Sequence, residues 1–515
     1  MQKSIRHKIV YHLLFLIAFG YFFIDLGLDQ TITEPPQGIH QWRQSDGASM
    51  ARIFGEEGNS IFKPKIFNQF GDDGSAGGEF PLFYFLAGKA YSVVGYNPVI
   101  LRFILFLPLI IGLLAMLDSL ILYFENKLFA TISMFLFLCS PTFMNYAVST
   151  LPDAAAFGMA LIGSSLLIKY HKSPSNGYLI FSSVAFIIAG LTKISMLLPL
   201  FALIGACVFT KALHEKNLKS LFKVLLFLLI TLIPIIVWYQ YISWYNELHQ
   251  TPYFATSIRP IWQLDGEAIS RIWTRIIEFW LPIIFTKWFA GVTISAVIMV
   301  LLLIKSAKKE IVLTNLFLLL GSITYGLLFF INLEDHDYYF IPFFFLILGF
   351  IVQALKSLET RLKDDRIKYI SILILAIVSW QTSNAAVEKS QSSYQGWFYD
   401  LDLSESLYDI EVFLEDNNIP KSSKFVVPQD ESSNISLFFL NRAGYTKLSG
   451  LYNEEDLDPL IDNGVDYALV LDTSFYSVTF LKYHITDTIG YHHELGIYKV
   501  GHSKWWKPEV EGLSE

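Results

Sequence analysis

The sequence predicts an α-helical polytopic membrane protein of about eleven transmembrane helices that ends in a soluble α/β domain. Three observations predict it. First, 53% of the 515 residues are hydrophobic and only 16% are charged, against about 25% charged in soluble globular proteins. Such a chain lacks the polar side chains to cover a soluble core of this size. Second, long apolar runs recur at the length a bilayer demands, about 20 residues each. They fall near 9–28, 98–122, 128–146, 153–169, 178–193, 195–210, 221–240, 286–304, 311–331, 339–355 and 368–385. Third, Lys and Arg concentrate in every second connecting segment.

That third pattern sets orientation. The basic segments hold Lys3, Arg6 and Lys8; Lys127; Lys169 and Lys172; Lys211, Lys216, Lys219 and Lys223; Lys305, Lys308 and Lys309; and Lys356, Arg361, Lys363, Arg366 and Lys368. By the positive-inside rule these loops are cytoplasmic. The N-terminus is then cytoplasmic and the C-terminal domain extracytoplasmic. The first apolar run is too long for a signal peptide and no small-residue cleavage site follows it, so it reads as a retained helix. Runs 178–193 and 195–210 nearly touch, which calls for a tight reversal around Thr192-Lys193-Ile194-Ser195.

The remaining sequence divides accordingly. Residues 1–385 form the transmembrane domain and 386–515 the extracytoplasmic α/β domain. The first outer loop, 29–97, is rich in Gly and polar residues. The second outer segment, 241–285, carries Trp244, Trp262, Trp273 and Trp280 with Arg259, Arg271 and Arg275, the pattern of amphipathic helices lying at a membrane interface. In the tail, β-like runs such as Lys424–Pro428 and Tyr467–Leu471 flank a helical stretch at Glu454–Asp462. The net charge of −8 and the absence of a basic surface exclude nucleic-acid binding. The two cysteines, Cys139 and Cys207, lie in apolar runs and exclude a disulfide framework.

The chemistry-bearing residues gather on one face of the expected topology. The first outer loop reads His40-Gln41-Trp42-Arg43-Gln44-Ser45-Asp46, with a short helix expected to open near Asp46, which would also cap it. Lys63 and Lys65 follow, then the flexible, acidic stretch Gly71–Gly78, whose Asp72 and Asp73 are expected to be solvated or partner-facing, then Glu79-Phe80-Pro81-Leu82-Phe83-Tyr84. Further on come Leu151-Pro152-Asp153-Ala154, Ala189-Gly190-Leu191-Thr192-Lys193 and His336-Asp337-Tyr338-Tyr339.

In this order the motifs resemble the bacterial membrane glycosyltransferases related to protein O-mannosyltransferases and to the aminoarabinose transferase of lipid A, which have the GT-C fold. The first-loop form His-x-Trp-Arg-Gln-x-Asp looks like one branch of that family. Asp46, Ala51-Arg52, Glu79–Tyr84, Gly95 and Arg102 carry the resemblance, which covers roughly residues 10–355. The chain departs from the pattern at one point. Counted back from Ala51-Arg52, the family's Asp-Glu pair falls on Arg43-Gln44, so the acidic role is carried over to Asp46.

The resemblance implies an inverting glycosyltransferase with a polyprenyl-phosphate sugar donor. Its acceptor would be lipid A, a lipopolysaccharide or surface polysaccharide, or a protein, on the outer face of a bacterial inner membrane. Such a reaction needs a base for the acceptor hydroxyl and positive charge for the departing phosphate. Asp46 and Asp153 are the acidic candidates. Arg43, Arg52, Lys63, Lys65 and Lys193 are the cationic ones, with Glu79, His336, Tyr338 and Tyr339 as further substrate contacts. The resemblance fixes no cofactor, and a divalent metal, if used, would fall to Asp46 and Asp153. Blander readings stand beside these: helix caps for both aspartates, a snorkelling Lys193, an Arg43–Trp42 cation–π pair and an aromatic belt at 336–339. The rival function is a transporter or flippase of a lipid-linked or small polar substrate. Its charged residues would normally sit near the bilayer midplane on broken helices, where this sequence has almost none. A polysaccharide polymerase or ligase shares the topology but has no need of this first loop.

Overall fold

The computed structural model describes residues 2–70, 73–213, 218–251, 253–254, 258–394, 405–447, 457–472 and 480–502. Gly71 and Asp72 of the acidic stretch, Lys216 among the basic loop residues and the first residues of Glu454–Asp462 lie outside these. The chain divides into two compact units: Met1–Glu34 with Pro98–Tyr241 and Thr256–Trp397, and Pro35–Asn97 with Ile242–Ala255 and Phe398–Glu515.

The first unit is helical. Each of the eleven apolar runs is helix or broken helix here, among them Gln2–Asp25, Pro98–Tyr123, Asp153–Lys172, Asn176–Thr192, Lys309–Leu328, Phe344–Arg361 and Asp365–Ser393. Among the described residues, six helices are long and apolar enough to cross a membrane, or eight when two bent pairs each count as one span. The other runs miss that test for visible reasons. Asn176–Thr192 is short, and Asp153–Lys172 is rich in Ala, Gly and Ser. The bends have local causes. Helices Lys127–Leu136 and Pro141–Ala147 meet at 86°, because Pro141 forces Ser140 into an extended conformation. Gly266–Ile284 and Lys287–Leu302 meet at 100°, where the Thr286 side chain caps the second helix through the Phe289 amide at 3.1 Å. The helix breaks at Thr192–Ser195, where a reversal is expected: Lys193 is extended between the helix ending at Thr192 and a 3-10 turn at Ile194–Leu197.

Helix packing in this unit relies on small residues, since lipid tails give apolar side chains no reason to leave them for one another. Helices Pro98–Tyr123 and Asp153–Lys172 cross with backbones touching. A Cβ on Gly112 would lie 2.3 Å from Gly158 O, and one on Gly158 would lie 2.3 Å from Pro108 O. One heptad further on, Ser119 and Ser165 hydroxyls bond at 2.7 Å, and Ser165 donates to Ala115 O at 2.6 Å. In the second outer segment, helix Gly266–Arg275 is amphipathic and Trp262 and Trp273 are exposed, as expected for an interfacial element. Trp280 is different. It is buried and donates to Glu334 O at 2.7 Å.

The second unit carries the sheet, with strands β1 Lys424–Val427, β2 Gly444–Thr446, β3 Val465–Val470, β4 Ile485–His492 and β5 Leu495–Val500 in the order β2-β1-β3-β5-β4. The pairings β1–β2 and β1–β3 are parallel, and β3–β5 and β4–β5 antiparallel. Its core packs Val426, Tyr445, Leu457, Ala468, Val470 and Tyr498. The first outer loop joins this sheet. Gln69 N donates to Gly444 O at 2.8 Å and Gly444 N to Phe67 O at 3.0 Å, so residues 67–69 run along the β2 edge. Of the two acids expected to be solvated or partner-facing, Asp72 lies outside the described residues and the Asp73 side chain is 41% exposed, while Gly74–Gly77 of the stretch expected to be flexible is buried. Asn246 clamps Gly77 from both sides, accepting from its amide at 3.1 Å and donating to its carbonyl at 2.7 Å. Gly74, at φ +78°, turns where a Cβ would strike Ile66 O. Backbone bonds to neighbouring segments, rather than composition, decide the order of this stretch.

Replacing Gly158 with Leu should separate helices Pro98–Tyr123 and Asp153–Lys172. Overpacking of this kind costs about 1–3 kcal/mol in cores that can adjust, and two touching backbones cannot. Thermal melting of the purified variant in detergent should show a clear drop, while Gly291→Leu, where a Cβ meets open space, should not.

Candidate active site

Asp46 sits in helix Gln41–Glu56 of the second unit, and it is not the helix cap. The helix opens well before it, at His40, whose φ of 55° is left-handed. The preceding coil is held by side chains reaching back: Gln41 Nε2 donates to Pro36 O at 3.0 Å, and Gln44 Nε2 to Gln37 O at 2.6 Å. Starting the helix there puts Arg43 and Asp46 one turn apart on one face, with Arg43 Nη1 at 4.0 Å from Asp46 Oδ2. The other side of Arg43 binds Glu79, and its guanidinium lies over Phe254, 5.3 Å from the ring centroid.

The Asp46 carboxylate is fully buried. Oδ2 accepts from Tyr253 Oη at 2.7 Å and Oδ1 from Ser433 Oγ at 2.9 Å, while Ser433 Oγ and Tyr253 Oη are themselves 2.7 Å apart. Three contacts need three protons. Tyr253 and Ser433 carry one each, so the third contact is a hydrogen bond only when Asp46 is protonated. Burial acts in the same sense and is the larger influence: it pushes the carboxyl up to about 7, against the lowering effects of Arg43 and the two hydroxyls. The Tyr253 hydroxyl is pushed up as well, by burial first and then by the Asp46 charge. Ser433 is positioned independently of this ring. Asn68 Nδ2 donates to its carbonyl at 2.7 Å, and the next residue, Asn434, donates to Ser49 Oγ at 2.5 Å on the Asp46 helix.

The other first-loop candidates are spread over the same unit. Arg52 is six positions beyond Asp46 and therefore on another side of the helix. Its guanidinium pairs with Glu411 at 2.6 Å and stacks on Tyr96 at 4.4 Å. Lys65 pairs with Asp73 at 2.6 Å. Burial works against the charge of Asp73, but hydrogen bonds from Lys65 and Ser75 outweigh it and hold the carboxyl at about 2. Lys63 is exposed.

The first unit gathers the remaining candidates. Asp153 opens helix Asp153–Lys172, is buried, and forms an ion pair with Lys193. The Lys193 ammonium lies 4.7 Å from the ring centroids of both Tyr338 and Tyr339, and His336 stacks on Tyr338 at 5.4 Å. Asp337, within the same motif, is fully buried. It accepts from Tyr146 Oη and, at 2.7 Å, from Tyr394 Oη. Sequence reasoning singled out Asp46, Arg43 and Glu79, and Asp153, Lys193, His336, Tyr338 and Tyr339, and each set is brought together within its own unit. It missed Tyr253, Ser433 and Tyr394, which lie far from the motifs in sequence, and Tyr146, which lies just ahead of Leu151–Ala154. Asp337 follows Glu334, Asp335 and His336, so nothing local sets it apart from its neighbours. Among the described residues, no group of three or more His, Cys, Asp or Glu side chains converges as a metal site. Asp46 faces Arg43, and Asp153 pairs with Lys193.

Comparison with protein-family models gives no match, and neither does comparison with curated protein sequences. Solved structures do match. ArnT from Cupriavidus metallidurans in the apo state superposes with a TM-score of 0.59 at 12% identity over 94% of this chain and 98% of that one. The same protein bound to undecaprenyl phosphate gives 0.60 at 12% identity over 95% and 97%. The archaeal oligosaccharyltransferase AglB from Archaeoglobus fulgidus, in complex with an inhibitory peptide and a dolichol-phosphate, gives 0.50 at 12% identity over 97% of this chain and 75% of that one. The shared fold is GT-C. The chain is thus a GT-C type, α-helical multi-pass membrane protein with a C-terminal sheet domain.

The Asp46 ring makes a prediction independent of any activity. A carboxyl raised from its ordinary value to about 7 means that the folded state holds a proton the unfolded state gives up. The stability that proton confers is complete below about pH 4. It is lost as pH rises from there to 7, by at most about 1.4 kcal/mol per pH unit, and no further loss follows above 7. Asp46→Asn keeps a donor toward Ser433 and removes that dependence. Its melting temperature should therefore gain on the parent protein's between pH 5 and pH 8. Parallel pH trends in the two proteins would refute the protonated ring.

Proposed function

We propose that the chain is a membrane glycosyltransferase that moves a sugar from a polyprenyl-phosphate donor to a hydroxyl-bearing acceptor, with Asp46 as the general base. The single observation that carries this reading is a buried carboxylate whose proton affinity is poised near neutrality, held by Tyr253 and Ser433 beside Arg43. A base works best when its pKa lies near the working pH. The GT-C fold, and the lipid phosphates bound by ArnT and AglB, support the same donor class.

In this reading the acceptor hydroxyl gives its proton to Asp46 as its oxygen attacks the anomeric carbon. The bond from that carbon to the phosphate ester oxygen breaks, and the polyprenyl phosphate leaves with the bonding pair. One displacement inverts the anomeric centre. Arg43 keeps the ionised base beside a positive charge. In the first unit, the Lys193 ammonium with Tyr338 and His336 is the group suited to a lipid phosphate, because a cation and hydrogen-bond donors are what such a leaving group needs. The acceptor class remains lipid A, surface polysaccharide or protein. The site belongs on the outer face of a bacterial inner membrane, with the N-terminus inside.

The test is release of undecaprenyl phosphate from a panel of undecaprenyl-phosphate sugars by the protein in vesicles containing lipid A. Asp46→Asn should lower the rate at least about 10²-fold, in the range that general-base catalysis supplies, with the protein still inserted. The parent rate should rise about tenfold per pH unit below 7 and level off above it. Full activity in Asp46→Asn would remove the base. Passage of the lipid-linked sugar across the bilayer with no bond broken would favour a flippase.

A further inference from the structure

The first unit contains a cavity of about 590 Å³ that the proposed chemistry does not use. It lies among the last turns of Pro98–Tyr123 and Asp153–Lys172, the helix Leu198–Cys207, the first turns of Lys309–Leu328, and Phe344–Arg361. Lys169, Lys172 and Lys308 stand at its mouth, with Glu310 as the acid in its lining. Its walls are apolar, among them Leu161, Leu203, Leu318 and Leu348. From Lys172 back to Leu161 the helix rises about 16 Å. The cavity thus runs from a basic rim to roughly half the depth of a hydrocarbon core of about 30 Å.

Asn315, in its wall, is 4% exposed, and its Nδ2 is spent on Gly349 O and Gln353 Oε1, which ties the helix Lys309–Leu328 to Phe344–Arg361. Lys169 is bound to Asp118 at 2.7 Å. Lys172 and Lys308 form no ion pair among the described residues. Lys172 reaches only a carbonyl, Leu122 O, at 3.4 Å, and Lys308 lies 5.6 Å over the Tyr123 ring.

We infer that this cavity is a binding site for an anionic glycerophospholipid of the lysine-rich leaflet. One acyl chain fills the apolar shaft and the phosphodiester meets Lys172 and Lys308. A basic rim over an apolar shaft selects a ligand with one anionic end and one hydrocarbon end.

The experiment is native mass spectrometry of the full chain in detergent supplemented with dioleoylphosphatidylglycerol or dioleoylphosphatidylcholine. The protein should retain one phosphatidylglycerol and about tenfold less phosphatidylcholine, the ratio that 1.4 kcal/mol of preference gives. K172Q/K308Q should lose that preference, K172R/K308R should keep it, and Asp46→Asn should leave it unchanged. Equal retention of the two lipids, or unchanged selectivity in K172Q/K308Q, would overturn the assignment. So would displacement of the bound phosphatidylglycerol by an equal concentration of undecaprenyl phosphate. None of these outcomes depends on sugar transfer, so the inference stands or falls apart from the proposed activity.

Discussion

Hydrocarbon cannot accept or donate a hydrogen bond, and the first unit follows from that constraint. Every backbone amide at membrane depth must be satisfied within the chain, which leaves the helix as its local structure. The same solvent removes the hydrophobic drive that holds soluble helices together. What remains is contact at close range, and Gly112, Gly158, Ser119 and Ser165 supply it by letting two helices touch. Where the chain breaks its helices, at Ser140-Pro141 and at Thr192–Ile194, it places residues of functional interest nearby, as at Lys193. Irregular backbone is tolerated in such proteins only where protein or water covers it, so broken helices and polar side chains tend to occur together.

The second unit solves the opposite problem. A bare carboxylate in a dry interior is costly, yet Asp46 is fully buried. Its charge is managed by one guanidinium at a distance and two hydroxyls in contact, those of Tyr253 and Ser433. Three stretches of sequence must therefore fold together before the site exists. The strand-like pairing of residues 67–69 with Gly444 does part of this work. Asn68 does more, because it joins that edge and also fixes the Ser433 carbonyl. The tail is in this sense part of the site's architecture.

What the sequence reveals follows from which features are local. Apolar runs and loop charges are local, and the helices lie where those runs place them. Asp46, Arg43 and Glu79 are legible because one loop carries them. Asp153 and Lys193 stand out as charges at the ends of apolar runs. Tyr253 and Ser433 are invisible by the same logic. A tyrosine in a Trp- and Tyr-rich interfacial segment and a serine between polar residues have no signal until tertiary structure brings them to a carboxylate. Gly74–Gly77, read as flexible from its composition, is buried for a related reason. Glycine-rich composition describes what a backbone is able to do, and the clamp by Asn246 decides what it does.

The two acidic candidates differ in a way that composition hides. Asp153 is buried beside an ammonium, so its charge is neutralised within one ion pair that is capped by two aromatic rings. Asp46 is buried beside hydroxyls that become fully bonded only when it holds a proton. The first arrangement suits a group that stays in place and orients its cation. The second suits a group that must exchange a proton near neutral pH. In the proposed reaction, different neighbours are what would separate an electrostatic role from a proton-transfer role. On this chain the two aspartates are given different neighbours, Lys193 for one and Tyr253 with Ser433 for the other.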